Sequence, residues 1–542
     1  MNHNRPPSIA RIALIAVAAL IGVGVPAPAQ AVDYVPINGA GSSWAANAIN
    51  QWTSAVHQNG MRVDYSANGS SDGRQRFLQK TVDFAASDIP FQQKPTDGSA
   101  PENPAPGTYA YMPIVAGGTA FMYNLKIGGK AVTNLRLSGE VIAKIFTGAV
   151  TRWDDAAIRK DNPGLAMPSR KIVPVIRSDG SGSSAQFSLW MQAQQANVWN
   201  SFCAGKGCGR GATSYWPTFS GAVAKSGDLG VAAYVAQSYS EGAIGYVQYS
   251  YALNSGFPVA KMLNAAGYYV EPTPLNVAVA LQRAKITNRP SDPSVHLTQD
   301  LTDVYKYTDP RVYPMSSYSY FILPTTVTGN FSEAKGRTLA AFSSYFECEG
   351  QQAAPDLGYS PLPKNLVEAS FQQIAKIPGA TPNSKPLASC NNPTFTADGH
   401  NRLADIAPQP QPCDKQGTSQ CSTGTGGKKN TETPVKNGGG QGTGNGGGTS
   451  GGPSGGPSGG PSARPSTGPS SALVYDPATD QYVDPNSGVS GGGDPNVAAI
   501  PVALPTGTGW TGTQTLMVLA VLATGALILG PALVARLVRR RQ

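Results

Sequence analysis

Three loops rich in glycine and serine are the parts of this sequence best suited to do chemistry. They are residues 39–44 (Gly-Ala-Gly-Ser-Ser-Trp), 68–71 (Asn-Gly-Ser-Ser) and 177–183 (Arg-Ser-Asp-Gly-Ser-Gly-Ser). Each loop follows a short apolar run typical of a strand and precedes a segment with the apolar spacing of a helix. The sequence therefore predicts one construction three times: a strand, a loop and the first turn of a helix.

Loops of this kind are suited to binding an anion. The first turn of a helix has backbone N–H groups without partners inside the helix, and the helix dipole adds partial positive charge there. Glycine lets the backbone approach a ligand closely, and serine adds hydroxyl donors. One loop alone would be explained by ordinary helix capping, but three converging loops would surround a tetrahedral oxyanion with donors. Arg177 adds a planar, two-pronged cation to the third loop.

Asp88 is a candidate for selecting between oxyanions. It ends a short strand-like run, residues 82–88. A carboxylate only accepts hydrogen bonds, so it pairs with an oxyanion that still carries a proton, such as hydrogen phosphate. A fully ionised anion such as sulfate would leave the carboxylate unpaired. The alternative explanation is a turn aspartate at the end of a strand.

The elements that must position these residues alternate along the chain. From about residue 32 to residue 380, strand-like and helix-like segments follow one another, which predicts an α/β protein. The helix after the first loop has apolar residues at a spacing of four, and the helix after the third loop has an apolar stripe as well. Both patterns predict helices that pack on a sheet with their first turns at its edge.

The loop sequences resemble those of the phosphate-binding proteins of high-affinity phosphate ABC transporters. Residues 81–88, 148–155, 242–247 and 357–363 look like further segments of that family, in the family's order. The resemblance covers about residues 38–377. It implies a type II periplasmic-binding-protein fold, in which two α/β lobes joined by crossing strands close over one phosphate ion.

The resemblance also implies which residues contact phosphate. They come from the three loops and the strand end: Ser43, Trp44, Ser70, Asp88, Arg177, Ser181, Gly182 and Ser183. Ser43, Trp44 and Ser183 stand where the family usually has Thr, Phe and Thr, so hydroxyl and aromatic groups are kept.

The second loop departs from the family pattern. Asp72, Gly73 and Arg74 stand where the family usually has two glycines and an apolar residue. Asp72 brings a negative charge near the anion, which weakens binding unless Arg74 or Arg76 pairs with it.

Both ends of the chain predict export and anchoring. Residues 1–31 read as a signal peptide, with an apolar stretch followed by Ala-Gln-Ala, although a signal anchor is the alternative. Residues 515–535 are apolar and uncharged, long enough to span a bilayer, and residues 536–542 form a basic tail expected in the cytoplasm. Residues 504–508 (Leu-Pro-Thr-Gly-Thr) look somewhat like a sortase signal, which leaves wall attachment as a second possibility.

The net charge of +9 follows mainly from these ends, because six arginines lie in the leader and the tail. The exported part is therefore only weakly basic, which argues against nucleic acid as a partner.

The domain prediction places lobe I at residues 32–115 and 310–385, with lobe II between them at residues 116–309. Residues 386–514 are predicted to be a flexible stalk, because residues 438–471 are nearly all Gly, Pro, Ser and Thr. Such a composition cannot bury enough apolar surface to offset the entropy of ordering.

The six cysteines predict disulfides, as expected for an exported chain. Cys203 and Cys208 are close enough in sequence for one small loop, and Cys413 and Cys421 for another. Cys348 and Cys390 remain, but six cysteines allow 15 pairings and the sequence selects none of them. A zinc site is the alternative, but the cysteine and histidine spacings suit it poorly.

These features predict a cell-surface protein, with no cofactor, that captures inorganic phosphate for an ABC permease in the same membrane. The alternative is a surface-tethered oxyanion-binding or interaction module that is not coupled to transport. A phosphatase is a third possibility, but the sequence has neither a Gly-x-Ser-x-Gly nucleophile motif nor a His/Asp metal cluster.

The predicted topology can be tested on intact cells. Protease added from outside should cut the stalk and release a soluble two-lobed fragment, because exposed Gly/Pro/Ser segments are preferred cleavage sites. Mass spectrometry of the supernatant is the measurement. A folded region that stays protected until the cells are lysed would contradict this topology.

Overall fold

The computed structural model describes residues 34–208, 211–381, 387–394, 396, 398 and 400–433, and the backbone of 474–476 and 481–483. The predicted signal peptide, membrane helix and basic tail lie outside the described residues, as does most of the predicted stalk. No helix in the described part of the chain is both long and apolar enough to span a membrane.

The described residues form an α/β structure. Its strands are β1 (Ile37–Gly41), β2 (Val63–Ser66), β3 (Phe84–Ser87), β4 (Tyr109–Tyr123), β5 (Lys126–Ile127), β6 (Lys130–Ala131), β7 (Arg136–Leu137), β8 (Val173–Arg177), β9 (Val223–Lys225), β10 (Ala243–Gln248), β11 (Lys261–Leu263), β12 (Tyr269–Val270), β13 (Lys285–Ile286), β14 (Gln299–Asp300), β15 (Ser316–Pro324), β16 (Val474–Asp476) and β17 (Gln481–Val483).

Its α-helices are α1 (Ala46–His57), α2 (Ser70–Leu78), α3 (Gly139–Phe146), α4 (Ala156–Asp161), α5 (Gly182–Gln194), α6 (Ala196–Cys203), α7 (Gly227–Ala236), α8 (Tyr249–Asn254), α9 (Pro274–Leu281), α10 (Thr302–Tyr305), α11 (Glu333–Glu347), α12 (Lys364–Ile374) and α13 (Arg402–Ile406). Short 3₁₀ turns lie at Ser238–Ser240, Glu349–Ala353, Leu387–Ser389, Pro412–Asp414 and Gly426–Lys428.

Eight strands form one continuous sheet in the order β2-β1-β3-β15-β4-β10-β8-β9. The fifteen residues of β4 are all buried, and the strand belongs to both halves of the sheet. Its first part, through Gly118, pairs antiparallel with β15, and its last part, from Thr119, pairs antiparallel with β10. β4 therefore joins the two lobes, as expected of the two-lobed α/β fold.

Each lobe has a hydrophobic core of its own. In lobe I, Trp52 stacks on Phe346 at 4.4 Å between ring centroids, within a cluster that includes Phe84. In lobe II, Phe187 stacks on Trp216 at 4.9 Å within a second cluster. Because apolar burial is the main stabilising contribution, two separate cores allow the lobes to move as bodies about the strands that join them.

The chain returns to lobe I slightly later than predicted. Val312, Tyr313 and Met315 pack in the core of lobe II, and β15 begins only at Ser316. The predicted boundary between residues 309 and 310 is therefore a few residues early, because these apolar side chains reach lobe II.

The predicted start of the stalk at residue 386 is also too early. Leu403 and Ala404, on α13, are buried in the core of lobe II. Further along, Arg136 donates to the carbonyl oxygens of Cys413 at 2.9 Å and Thr418 at 2.7 Å. Hydrogen bonds hold much of this segment, and polar composition alone does not reveal them.

The same packing continues to the end of this segment. Lys261 pairs with Asp414 at 2.8 Å, and the backbone N–H of Thr133 donates to the Thr433 hydroxyl at 2.7 Å. Residues 400–433 are therefore part of the folded body.

Three disulfides form: Cys203–Cys208, Cys348–Cys390 and Cys413–Cys421. The prediction of disulfides is confirmed, and no described cysteine is free. The pair that the sequence left open, Cys348 with Cys390, attaches the segment after lobe I to the end of α11.

The chain divides into two units, of which the second begins at Gly444. In it the structure describes a hairpin in which β16 and β17 pair antiparallel, with Val474 opposite Val483.

Glu347 gives a prediction about stability. Its side chain is fully buried at the end of α11 and forms no ion pair with any described residue. Burial raises the pKa of Glu347 well above its usual range, and neither carboxyl oxygen has a hydrogen-bond partner among the described residues. A carboxyl with a raised folded-state pKa stabilises the fold at low pH, and this contribution is lost as the pH rises through that pKa.

Glu347→Gln should therefore become more stable relative to the unaltered protein as the pH rises. We expect a relative gain of about 2 °C in melting temperature at alkaline pH. Calorimetry across acid to alkaline pH is the measurement, with the exposed Glu349→Gln as the matched control. Parallel curves for both variants would refute the assignment.

Candidate anion-binding site

The first loop follows β1 and delivers two serines to the junction of the lobes. Gly41 has a φ of +137°, and a Cβ at this position would lie 2.0 Å from the carbonyl oxygen of Ala86, so only glycine fits. The hydroxyl of Ser42 accepts from the backbone N–H of Ala45 at 3.2 Å and donates to Asp88 Oδ1 at 2.7 Å. The Ser42 hydroxyl thus orders the turn before α1 and also holds Asp88.

The second loop begins α2 at Ser70. The Ser70 hydroxyl donates to Asp88 Oδ2 at 3.2 Å. The next backbone N–H, that of Ser71, donates to the carbonyl oxygen of Gly180 at 2.9 Å. Because Gly180 belongs to the third loop, this bond links the two lobes directly.

The third loop lies between β8 and α5. The hydroxyl of Ser181 accepts from the backbone N–H of Ser184 at 3.2 Å and caps the helix. A Cβ on Gly182 would lie 2.5 Å from both Asp88 Oδ2 and Ser70 Oγ, so the first turn of α5 touches the second loop and Asp88. The hydroxyl of Ser183 is buried and has no hydrogen-bond partner among the described residues. An unpaired buried hydroxyl is costly, which is typical of a group that a ligand satisfies.

The carboxylate of Asp88 is almost fully buried, 3% exposed, and hydroxyl donors surround it. Oδ1 accepts from Ser42 and Ser319, and Oδ2 accepts from Ser70. Burial raises the pKa of Asp88, whereas the hydroxyl groups of Ser319 and Ser42 lower it. The side chain is thus an acceptor that three hydroxyl donors orient.

Arg177 is buried and held between two carboxylates. Its guanidinium donates to Asp228 Oδ2 at 2.6 Å, to Asp179 Oδ1 at 2.8 Å and to the Ser43 hydroxyl at 2.8 Å. Burial acts to lower the pKa of Arg177, but Asp228 and Asp179 outweigh it and raise that pKa above its usual value. The guanidinium therefore stays charged, and the two carboxylates of lobe II more than offset its single charge.

The two predicted contacts of the first loop have different surroundings. The Ser43 hydroxyl donates to Asp228 at 2.6 Å across the lobe junction. The indole N–H of Trp44 donates to the Thr119 hydroxyl at 3.1 Å, and its ring meets Tyr359 edge-on. The Trp44 side chain therefore packs on the joining strand β4.

All eight residues predicted to form the site are buried, and both lobes contribute to it. Sequence reasoning assigned no role to four further residues that hold them: Ser42, Asp179, Asp228 and Ser319. Asp228 had a detectable signal, because β9, Ser226 and α7 repeat the strand–serine–helix construction a fourth time. Ser319 lies inside a buried strand, and no local pattern marks it.

The departure in the second loop does not place a free charge in the site. Asp72 pairs with Arg76 one turn along α2, at 2.8 Å. Arg74 turns inward and donates to Glu102 at 2.7 Å, Ser87 at 2.9 Å and Ser71 at 3.1 Å. Both arginines therefore have partners, and Arg76 is the residue that pairs with Asp72.

Two lobes joined by crossing strands, with a buried polar site between them, define a binding protein of the periplasmic type. A family model described as the PBP superfamily domain matches residues 24–349. The phosphate-binding protein PstS of Xylella fastidiosa (strain Temecula1) is 34% identical over 344 residues, which is 63% of this chain and 86% of that protein. PstS 2 of Mycobacterium tuberculosis is 31% identical over 343 residues, 61% of this chain and 84% of that protein.

A solved structure of a high-affinity periplasmic phosphate-binding protein bound with phosphate is 20% identical, with a TM-score of 0.47. The alignment covers 65% of this chain and 100% of that one. The family-model match and the identity to the two curated relatives agree with the residues that carry the resemblance in the sequence. This chain belongs to the PBP superfamily and, within it, to the family of phosphate-binding proteins PstS.

Proposed function

We propose that this protein captures inorganic phosphate outside the cytoplasm by closing its lobes over the ion, and that it delivers the ion to an ABC importer. The observation that carries the proposal is the environment of Asp88. Both acceptor positions of Oδ1 are used by Ser42 and Ser319, and one position of Oδ2 is used by Ser70. One position remains on Oδ2, the atom nearest Gly182 at the start of α5.

A single free acceptor beside a helix N-terminus suits an anion with one proton to donate. The first turn of α5 supplies N–H donors and partial positive charge to the other oxygens of the anion. The buried Ser183 hydroxyl supplies a further donor. Hydrogen phosphate carries the required proton, whereas sulfate would face Asp88 without one.

The remaining predicted contacts complete the site. Arg177 provides the full positive charge, and Ser43 joins it to lobe I. Backbone N–H groups at Ser43 and Trp44 add donors in the first loop. The Ser181 hydroxyl caps α5, the helix that follows the third loop. Recognition then rests mainly on directed hydrogen bonds, because the two carboxylates of Asp179 and Asp228 more than offset the single positive charge of Arg177.

We also propose that the protein acts at the cell surface. The signal peptide predicted at residues 1–31 and the membrane helix predicted at residues 515–535 support export and anchoring. With residues 400–433 packed on lobe II, the stalk would begin near residue 434. Homologues named phosphate-binding protein PstS support a role in binding phosphate rather than in catalysis.

The test of the proposed function is a calorimetric titration with phosphate and then with sulfate. The unaltered protein should bind phosphate and show little competition from sulfate. In Asp88→Asn the side chain keeps its size but offers an amide donor, so the ratio of the sulfate Kd to the phosphate Kd should fall by roughly tenfold or more. If the ratio stays unchanged in a folded variant, Asp88 does not select the anion.

Lobe closure gives a second prediction. In Gly182→Ala the new Cβ would overlap Asp88 and Ser70, and overpacking of this kind costs about 1–3 kcal/mol. Phosphate should bind at least about fivefold more weakly, and X-ray scattering with phosphate should show a less compact protein.

The matched control is Gly230→Ala, on α7 of lobe II, because a Cβ there would have its nearest neighbour, the Lys225 side chain, at 3.7 Å. The control should bind and close as the unaltered protein does. Equal phosphate affinity and equal compactness in both variants would show that Gly182 does not lie at a contact that closes the lobes.

A further inference from the structure

Ser319 reaches Asp88 from a strand that no loop motif includes. β15 runs antiparallel to β3, with Tyr320 opposite Ser87. The next pair in this register is Ser319 opposite Asp88, so the sheet itself places the two side chains together. The Ser319 hydroxyl is fully buried and donates to Asp88 Oδ1.

An irregularity in the sheet lies at the same position. The pairing of β15 with β4 shifts between Ser319 and Tyr320, which lie opposite Val115 and Pro113. Ile114 is the extra residue, and Pro113 has no N–H to give to the ladder. β-Bulges re-aim side chains beside functional sites, and this one lies in the pair of strands that joins the lobes.

The bulge is built into lobe I by side chains. The carbonyl oxygen of Ile114 accepts from the Gln351 amide at 2.9 Å, and that of Pro113 accepts from the Ser370 hydroxyl at 3.0 Å. The backbone groups that the bulge frees therefore have partners, and the position of Ser319 is fixed.

We propose that Ser319 is a positioning residue for anion selection, which occupies Oδ1 of Asp88 so that the ligand proton is accepted at Oδ2. This inference rests on the proposed function and adds a residue that acts through Asp88. It also assigns Ser319 a second effect, which is to favour the ionised carboxylate over the protonated one. A hydroxyl that donates to a charged group stabilises that charge.

Several charged or titratable groups face Asp88 from the surrounding elements. Arg177 and Asp228 act on it from lobe II, where they pair with each other at 2.6 Å. Asp88 also acts on Tyr65, Tyr320 and Tyr359, and burial raises the pKa of each of these tyrosines above its usual value. The tyrosines therefore stay neutral below pH 9, which leaves Asp88 as the group that Ser319 can shift.

Sulfate is the probe that reads this shift, because it stays a dianion from pH 5 to pH 9. It can pair with Asp88 only when the carboxyl is protonated, so its affinity should rise as the pH falls. Without the Ser319 hydroxyl the carboxyl protonates more easily. In Ser319→Ala the sulfate affinity should therefore begin to rise at a higher pH than in the unaltered protein. At a pH within that rise, the variant should bind sulfate roughly tenfold more tightly than the unaltered protein does.

The variants separate this effect from a structural one. Ser319→Thr keeps the hydroxyl and should keep the original pH profile. Ser316→Ala removes another buried hydroxyl of β15, one that donates to the Tyr313 carbonyl oxygen at 2.7 Å, and should not shift the profile. Ser319→Cys offers a weak donor of similar size and should shift the profile in the same direction as Ser319→Ala but less.

The outcomes distinguish this inference from the proposed function. If the unaltered protein binds phosphate selectively but the sulfate profiles of Ser319→Ala and Ser319→Cys overlay the original one, Ser319 has no such role. The same conclusion follows if Ser316→Ala shifts the profile equally. If the unaltered protein binds no phosphate, the proposed function itself fails.

Discussion

The organisation of the site depends on one buried carboxylate. Asp88 directly follows β3, and its oxygens accept hydrogen bonds from hydroxyl groups of the first loop, the start of α2 and strand β15. A buried charge is costly unless donors satisfy it, so these donors must converge for the fold to be stable. The same convergence leaves one acceptor position in front of α5. The residues that stabilise the buried charge are therefore the same ones that select the anion in the proposed function.

Lobe II faces this carboxylate with a buried cluster of one arginine and two aspartates. Arg177, Asp179 and Asp228 form ion pairs inside the lobe, and Ser43 crosses from lobe I to join them. Because two carboxylates pair with the one guanidinium, closing the lobes does not bury an unpaired cation. Directed donors at helix N-termini can then distinguish one anion from another of similar size and shape. Strand β4 joins the lobes, and β15 pairs with its first part.

The end of the folded body is set by a segment that has little apolar character. Residues 400–433 attach to lobe II through buried backbone and side-chain hydrogen bonds, an ion pair and a small disulfide loop. The disulfide Cys348–Cys390 fixes the preceding segment to lobe I. The family-model match ends at residue 349, so this segment lies beyond it. The segment adds a second connection between the lobes, besides the strands of the sheet.

The sequence alone determined the α/β class, the three loops, and Arg177 and Asp88 as candidates, because glycine, serine and apolar periodicity are local signals. It also indicated the disulfides, because export and cysteine number are properties of composition. Only the tertiary structure decided the partners of Asp88 and Arg177, the inward turn of Arg74 and the true end of the folded body. Ser319 lies 231 residues from Asp88 along the chain, and the sheet register alone makes them neighbours. Local patterns predict which groups a chain offers, but pairing between distant strands decides which of those groups meet.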